Sequence, residues 1–181
     1  SEAAIESHPN QPFPYLAMGI SLSNNELLDK SLKFLHSGRE LVISDSILES
    51  DFLHEIGNVY YKQNKYEKCF DYYEMSIALN PKNLILLNNY SYYLALRKTN
   101  LQRAEELILI VLSKFPNIAT YCDTYGWVLF QMGKYSLSEK ELFKAVMYSN
   151  ESSGEILEHY GDALFKLNKK DGALLLSLIH I

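Results

Sequence analysis

The residues with which this chain could do chemistry are its histidines, cysteines and paired carboxylates, and their spacing argues against most of it. A zinc hydrolase needs two histidines one helical turn apart with a glutamate beside the first; of His8, His36, His54, His159 and His180, only His54 is followed by a glutamate, and no second histidine follows. The five histidines therefore read as surface or groove residues. Cys69 and Cys122, the only cysteines, are too few for a four-cysteine zinc site or a disulfide framework. Both fall at helical packing positions and read as buried thiols. Asp123 and Asp162 lie 39 residues apart and carry no acid–base spacing of their own. No Gly-x-Ser-x-Gly elbow, phosphate loop or dinucleotide fingerprint occurs. The expectation is a protein with no catalytic residue, no metal site and no cofactor.

Composition narrows the partner. The 181 residues carry 17 Lys+Arg against 22 Asp+Glu, a formal charge of −5, which weighs against nucleic acid because phosphate binding rests on cations. With 48% hydrophobic and 22% charged residues the chain is globular in composition, one domain or one repeat array. No apolar run approaches the roughly 18 residues of a membrane span, and Ser1 to Asn10 has neither a basic nor an apolar segment. The chain as given reads as soluble, cytoplasmic or periplasmic depending on what precedes it.

What must position any site is a repeat. Gly19, Gly57, Ser91, Gly126 and Gly161 each sit inside a helix-like stretch, at intervals of 38, 34, 35 and 35 residues. Around Gly57 the residues Leu53, Ile56 and Tyr60 form one helical face. A second stretch runs from Tyr66 through Cys69, Phe70, Tyr73 and Ile77 and stops at Asn80-Pro81, where proline cannot continue a helix. Twelve residues after the small residue of each first helix comes another small one, at Ser31, Cys69, Ser138 and Ala173, with Ala104 one later because its turn is longer. Paired small residues mark where two antiparallel helices cross closely. Large residues, Leu35, Tyr73, Ile108 and Leu142, follow four positions on.

These units resemble the tetratricopeptide repeat, most closely over residues 50 to 83, where Ile56-Gly57-Asn58-Val59-Tyr60-Tyr61 and Ala78-Leu79-Asn80-Pro81 read almost as consensus. Asp123-Thr124-Tyr125-Gly126-Trp127, Gly133-Lys134-Tyr135 and His159-Tyr160-Gly161-Asp162 are similar to repeats of bacterial multi-repeat proteins. The resemblance implies an all-α, right-handed superhelical solenoid of about five antiparallel helical hairpins. An irregular segment, 1–11, is expected before a single array, 12–181, with repeats near 12–49, 50–83, 84–118, 119–153 and 154–181. The first unit is degenerate: its second helix is expected to run long through Arg39-Glu40-Leu41-Val42, accounting for the 38-residue interval. At the other end Ser177 and His180 break the pattern, and the apolar Ser177–Ile181 stretch suggests truncation, foreign sequence or an association surface, the whole reading as a piece of a longer bacterial protein.

In such a solenoid the first helices line a concave face, and the helical positions directed away from the hairpin partner become the candidate peptide-binding site. These are His54, Asn58 and Tyr61; Asn88, Asn89 and Tyr92; Asp123, Trp127 and Phe130; and Glu158, Asp162 and Phe165. Rings bury area against an extended peptide while amides and carboxylates bond its backbone. Alternatively, Tyr92, Trp127 and Phe130 pack between neighbouring repeats. Some tetratricopeptide proteins clamp the terminal carboxylates of heat-shock chaperones with two asparagines and several cations. Asn58 and Asn89 stand at the matching asparagine positions, but His54, Thr120 and Thr124 replace the cations, so no such clamp is expected. Asp123, Glu158 and Asp162 would favour a basic or neutral segment, or form a solvated acidic face. The 35-residue intervals also fit pentatricopeptide repeats, which read single-stranded RNA, but the acidic balance disfavours that. The expected function is a non-enzymatic scaffold binding a peptide or partner protein. The alternative is an oligomerisation or spacer module, with homo-oligomers formed through the apolar C-terminal end.

Overall fold

A computed structural model of the chain describes residues 2–149 and 153–169. They form ten helices and connecting turns, with no strand among the described residues: α1 (Glu2–Ser7), α2 (Pro12–Asn24), α3 (Leu28–Glu40), α4 (Ser46–Lys62), α5 (Tyr66–Leu79), α6 (Leu84–Arg97), α7 (Leu101–Lys114), α8 (Ala119–Gln131), α9 (Tyr135–Tyr148) and α10 (Gly154–Lys166). The stretch expected to be irregular at the start thus contains α1. Two compact units divide the chain, Ser1–Leu86 and Leu87–Ile181, so that α6 begins in the first and continues in the second.

In the first unit α2 pairs with α3 and α4 with α5. The small residues do what their spacing predicts, and the reason is steric. A β-carbon on Gly19 would lie 2.4 Å from the Leu35 side chain, and one on Gly57 would lie 2.5 Å from the Tyr73 ring. Each glycine is therefore the socket for the large residue sixteen positions on. Ser31 adds a bond across the crossing, its Oγ donating to the Gly19 carbonyl at 2.7 Å. Between α4 and α5 the crossing is doubled: Ser76 Oγ donates to the Ser50 carbonyl at 2.8 Å, and Ser50 Oγ lies 3.1 Å from the Ser76 carbonyl. Leu16, Leu35, Phe52, Ile56 and Val59 form the core beneath.

The second unit repeats the design. Gly126 is covered by Leu142, which a β-carbon there would meet at 2.5 Å, and Ser138 Oγ donates to the Gly126 carbonyl at 2.7 Å. Between α6 and α7 the polarity reverses, with Ser91 of the first helix donating to the Ala104 carbonyl at 2.8 Å. Gly161 faces no described atom within 4 Å. Ala173, its expected partner, and the Ser177–Ile181 stretch with its proposed association surface lie outside the described residues.

Seven positions after each first-helix small residue, the chain turns through a left-handed residue: Glu26 (φ 60°), Asn64 (φ 60°), Lys98 (φ 52°), Gly133 (φ 76°) and Asn168 (φ 59°). In all five, the next residue's N–H reaches back to the helix, as in Lys65 to the Tyr60 carbonyl, Lys134 to Leu129 and Lys169 to Leu164, each 2.9 Å. This is the 6→1 bond with which a left-handed residue closes a helix. Asn and Gly tolerate that conformation, whereas Glu26 and Lys98 adopt it against their preference.

One expectation is corrected. The 38-residue interval does not come from a long α3, which ends at Glu40 like its counterparts. The extra residues lie at the start of α4, which begins eleven residues before Gly57, whereas α2, α6, α8 and α10 begin seven before theirs. One additional helical turn has been placed at the hairpin junction, capped by the Asp45 carboxylate, which accepts from the Leu48 N–H at 2.9 Å.

Candidate functional site

Each unit holds part of the expected site. In the first, His54, Asn58 and Tyr61, with Lys62 beside them, already have neighbours in the protein. His54 lies edge-on to Tyr73 at 5.9 Å, and burial pulls its pKa below the usual imidazole value, partly countered by Asp51. Asn58 accepts from the Tyr73 hydroxyl at 2.6 Å and donates to Glu55 at 3.2 Å; burial raises the Glu55 carboxyl. Tyr61 packs edge-on to Tyr66 at 5.4 Å, and Lys62 Nζ donates to the Ser23 carbonyl at 2.8 Å.

In the second unit the sequence positions converge on a residue outside the expected site. His159 is buried, 6% exposed, and its Nδ1 donates to Asp123 at 2.9 and 3.2 Å to the two oxygens. Because a carboxylate only accepts, the bond fixes which imidazole nitrogen carries the proton. Trp127 stacks on the imidazole with centroids 4.0 Å apart and planes 15° apart, and Phe130 stacks on Trp127 at 4.8 Å and 8°. Tyr92 reaches the same imidazole at 6.1 Å, and its hydroxyl bonds the Glu155 carboxylate. Phe130 continues the run edge-on to Tyr135 at 5.2 Å. Tyr92, Asp123, Trp127 and Phe130 are therefore joined through His159 into one cluster from α6, α8 and α10, with α9 at its end.

Three sequence readings change here. His159 is a buried connector rather than a surface or groove histidine. Asp123, only 6% exposed, is occupied by that histidine and so is not a free groove carboxylate. Asn88 is also buried, its Nδ2 donating to Asn89 at 3.3 Å, while Asn89 is half-buried. Glu158, Asp162 and Phe165 are exposed along α10. Partial desolvation by the surrounding helix, and then the neighbouring Glu158 charge, hold the Asp162 carboxyl above the usual carboxylate range. Trp127 Nε1, Asn88 Oδ1 and, in the first unit, His54 Nε2 are buried with no hydrogen-bond partner among the described residues.

An imidazole oriented by a carboxylate is half of a general-base arrangement, but the other half needs a nucleophile in reach. Among the described residues none hydrogen-bonds His159, and Trp127 lies over its ring. No group of three His, Cys, Asp or Glu among the described residues could hold a metal ion. Both cysteines are buried and unpaired. Burial pushes the Cys69 thiol up to about 12 and the Cys122 thiol up to about 11. Neither should react with a thiol reagent at pH 8 in the folded protein, and both should react once urea unfolds it; fast native-state labelling would contradict their burial. Each holds its proton more tightly folded than unfolded, so the stability tied to Cys69 is intact below pH 9 and is lost as pH rises toward 12. No helix among the described residues is long and apolar enough to cross a membrane.

Stacked helical hairpins with glycine sockets, and a side-chain cluster shared between successive first helices, define a helical-repeat protein. Residues 50–83 match the tetratricopeptide repeat. TPR repeat-containing protein PA4667 of Pseudomonas aeruginosa is 28% identical over 148 residues, 82% of this chain and 24% of that protein, so the chain spans about a quarter of this curated relative. Among solved structures, MamA from Desulfovibrio magneticus RS-1 superposes with a TM-score of 0.80 at 13% identity, over 92% of this chain and 91% of that one. YrrB, described as a TPR protein with an unusual peptide-binding site, superposes with a TM-score of 0.75 at 18% identity, over 97% and 87%. Residues 50–83 thus carry a tetratricopeptide repeat, and the described residues share the all-α fold of these solved structures.

Proposed function

We propose that the chain is a non-enzymatic protein-interaction scaffold and that its second unit binds an extended peptide segment of a partner along the first helices α6, α8 and α10. The observation that carries this reading is the cluster of Tyr92, His159, Trp127 and Phe130, whose rings are held in place by stacking and by the Asp123 and Glu155 bonds. Rings fixed before binding lose little entropy when a ligand arrives, so buried aromatic area converts into affinity. The acidic α10 residues Glu158 and Asp162 favour a basic or neutral segment over an acidic one. With a formal charge of −5, the chain is poorly suited to RNA. YrrB supports the reading by analogy only, as a similar fold described with a peptide-binding site.

A random dodecapeptide phage library panned on the immobilised full chain tests this. We expect enriched sequences that are poor in Asp and Glu. Their binding should fall at least about tenfold on Trp127→Ala, since an interface aromatic is typically worth more than 1 kcal/mol. It should be unchanged on Met147→Ala, an α9 residue 65% exposed. Failure to enrich any sequence would move the function to a spacer or oligomerisation role.

A further inference from the structure

Resting on that reading, we infer that the partner segment carries an arginine whose side chain enters a cavity of the second unit, between the first turns of α8 and α10, where Asp123 and Glu155 receive its guanidinium. The cavity has a volume of about 370 Å³. Ile118, Thr120 and Asp123 line it from the α8 side, and Ser153, Glu155 and Ile156 from the α10 side. Ligand cavities run from roughly 300 to 1,000 Å³, so this one suits a single long side chain better than a folded cofactor. Tyr92 ties it to the aromatic cluster: the ring that reaches His159 at 6.1 Å bonds Glu155 through its hydroxyl. A segment lying on those rings therefore has the cavity beside it.

Both carboxylates are held in place before any ligand arrives, and both can accept more than they are given. Asp123, with its side chain 8% exposed, takes one hydrogen from His159 Nδ1, shared between oxygens at 2.9 and 3.2 Å. Glu155 takes one from Tyr92. A carboxylate offers about four lone-pair positions, so each keeps accepting capacity beyond the bond that orients it. Thr120 and Ser153 add hydroxyl oxygens, and no Lys or Arg is among the lining residues to neutralise the pair. Charge alone does not single this place out, since Glu158 and Asp162 are also acidic; they lie outside the cavity. Arginine fits it better than lysine. Its planar guanidinium has five N–H donors and is more weakly hydrated than an ammonium, so it can meet oxygens on both walls at once while its stem lies against Ile118 and Ile156.

Peptides enriched from the phage library on the full chain should share an arginine at one position. In the tightest of them, replacing that arginine by citrulline, which keeps the shape and removes the charge, should weaken binding at least about tenfold. Lysine in its place should cost about threefold. The citrulline loss should shrink to about twofold in Asp123→Asn and in Glu155→Gln, each of which keeps an oxygen for its His159 or Tyr92 bond. In the unaltered ¹⁵N-labelled chain, the backbone amide signals of Thr120 and Ser153 should move with the arginine peptide and stay in place with the citrulline one. The proposal is overturned if the enriched peptides share no arginine, or if citrulline binds as well. It is equally overturned if the citrulline loss persists in both variants with the Thr120 and Ser153 signals unmoved, which would put the guanidinium on another acidic surface such as Glu158 and Asp162. If no library peptide binds, both this proposal and the scaffold reading beneath it fail; the preceding outcomes remove the proposal alone.

Discussion

Replacing His159 by alanine will destabilise the second unit by about 3 kcal/mol, the size expected when one member of a buried pair is removed and the other is left alone. The Asp123 and His159 side chains are 8% and 7% exposed, so the substitution leaves a largely buried carboxylate without its hydrogen-bond partner. Loss of the stack on Trp127 adds to the effect. Urea unfolding followed by the single tryptophan reads this unit directly. Removing Asp123 as well should restore part of the loss, since the double variant no longer buries an unpaired charge, and the cycle should show a coupling of at least about 1 kcal/mol. If the two single losses simply add, the bond between these side chains contributes nothing and the cluster is held by packing alone.

Gly57→Leu should cost about 3 kcal/mol or more, at the upper end of overpacking, and lower the melting temperature by about 10 °C. Even the first added carbon would stand 2.5 Å from the Tyr73 ring and 3.3 Å from the Cys69 carbonyl, so neither rotamer choice nor a small shift relieves it. Gly133→Leu is the contrast. Nothing lies within 4 Å of a β-carbon there, and the penalty is confined to its left-handed backbone, φ 76°, worth about 1 kcal/mol. Near-equal losses at the two positions would mean that the glycine socket is not what sets the register.

The register was legible in the sequence because its cause is local and repeats: a glycine that must admit Leu35, Tyr73 or Leu142 cannot be anything larger, and these three sockets, with Ser91 and Gly161 at the same spacing, turn that constraint into a period. The turn residues carried a fainter version of the same signal, clear at Asn64, Gly133 and Asn168 but hidden at Glu26 and Lys98. The place of the additional turn was not legible, because an interval between glycines fixes a length and not which helix holds it. His159 was missed for a different reason. Its partner lies 36 residues away, in the preceding repeat, and although Glu158 repeats the acidic position of Asp123, no other repeat has a histidine at the position of His159 to mark the pair. The signal that could have found it is positional: Asp123 stands three before its small residue and His159 two before the next, offset by one from a full repeat. A search for complementary polar residues at that offset, rather than at identical positions, would have placed the pair.

The four added residues at the front of α4 also say where this architecture accepts material. They lengthen the helix by about one turn, and Gly57 still meets Tyr73 sixteen positions on, as Gly19 meets Leu35. Ile43 and Ile47 beside them are 86% and 61% exposed, out of the way of the core. For protein engineering this junction is a splice point with a quantised tolerance: an epitope or dye-binding tag grafted between residues 42 and 46 can be of any length its own loop allows, whereas helix extension there must proceed in full turns to keep the α4 face that carries Gly57 in phase with the start of its helix.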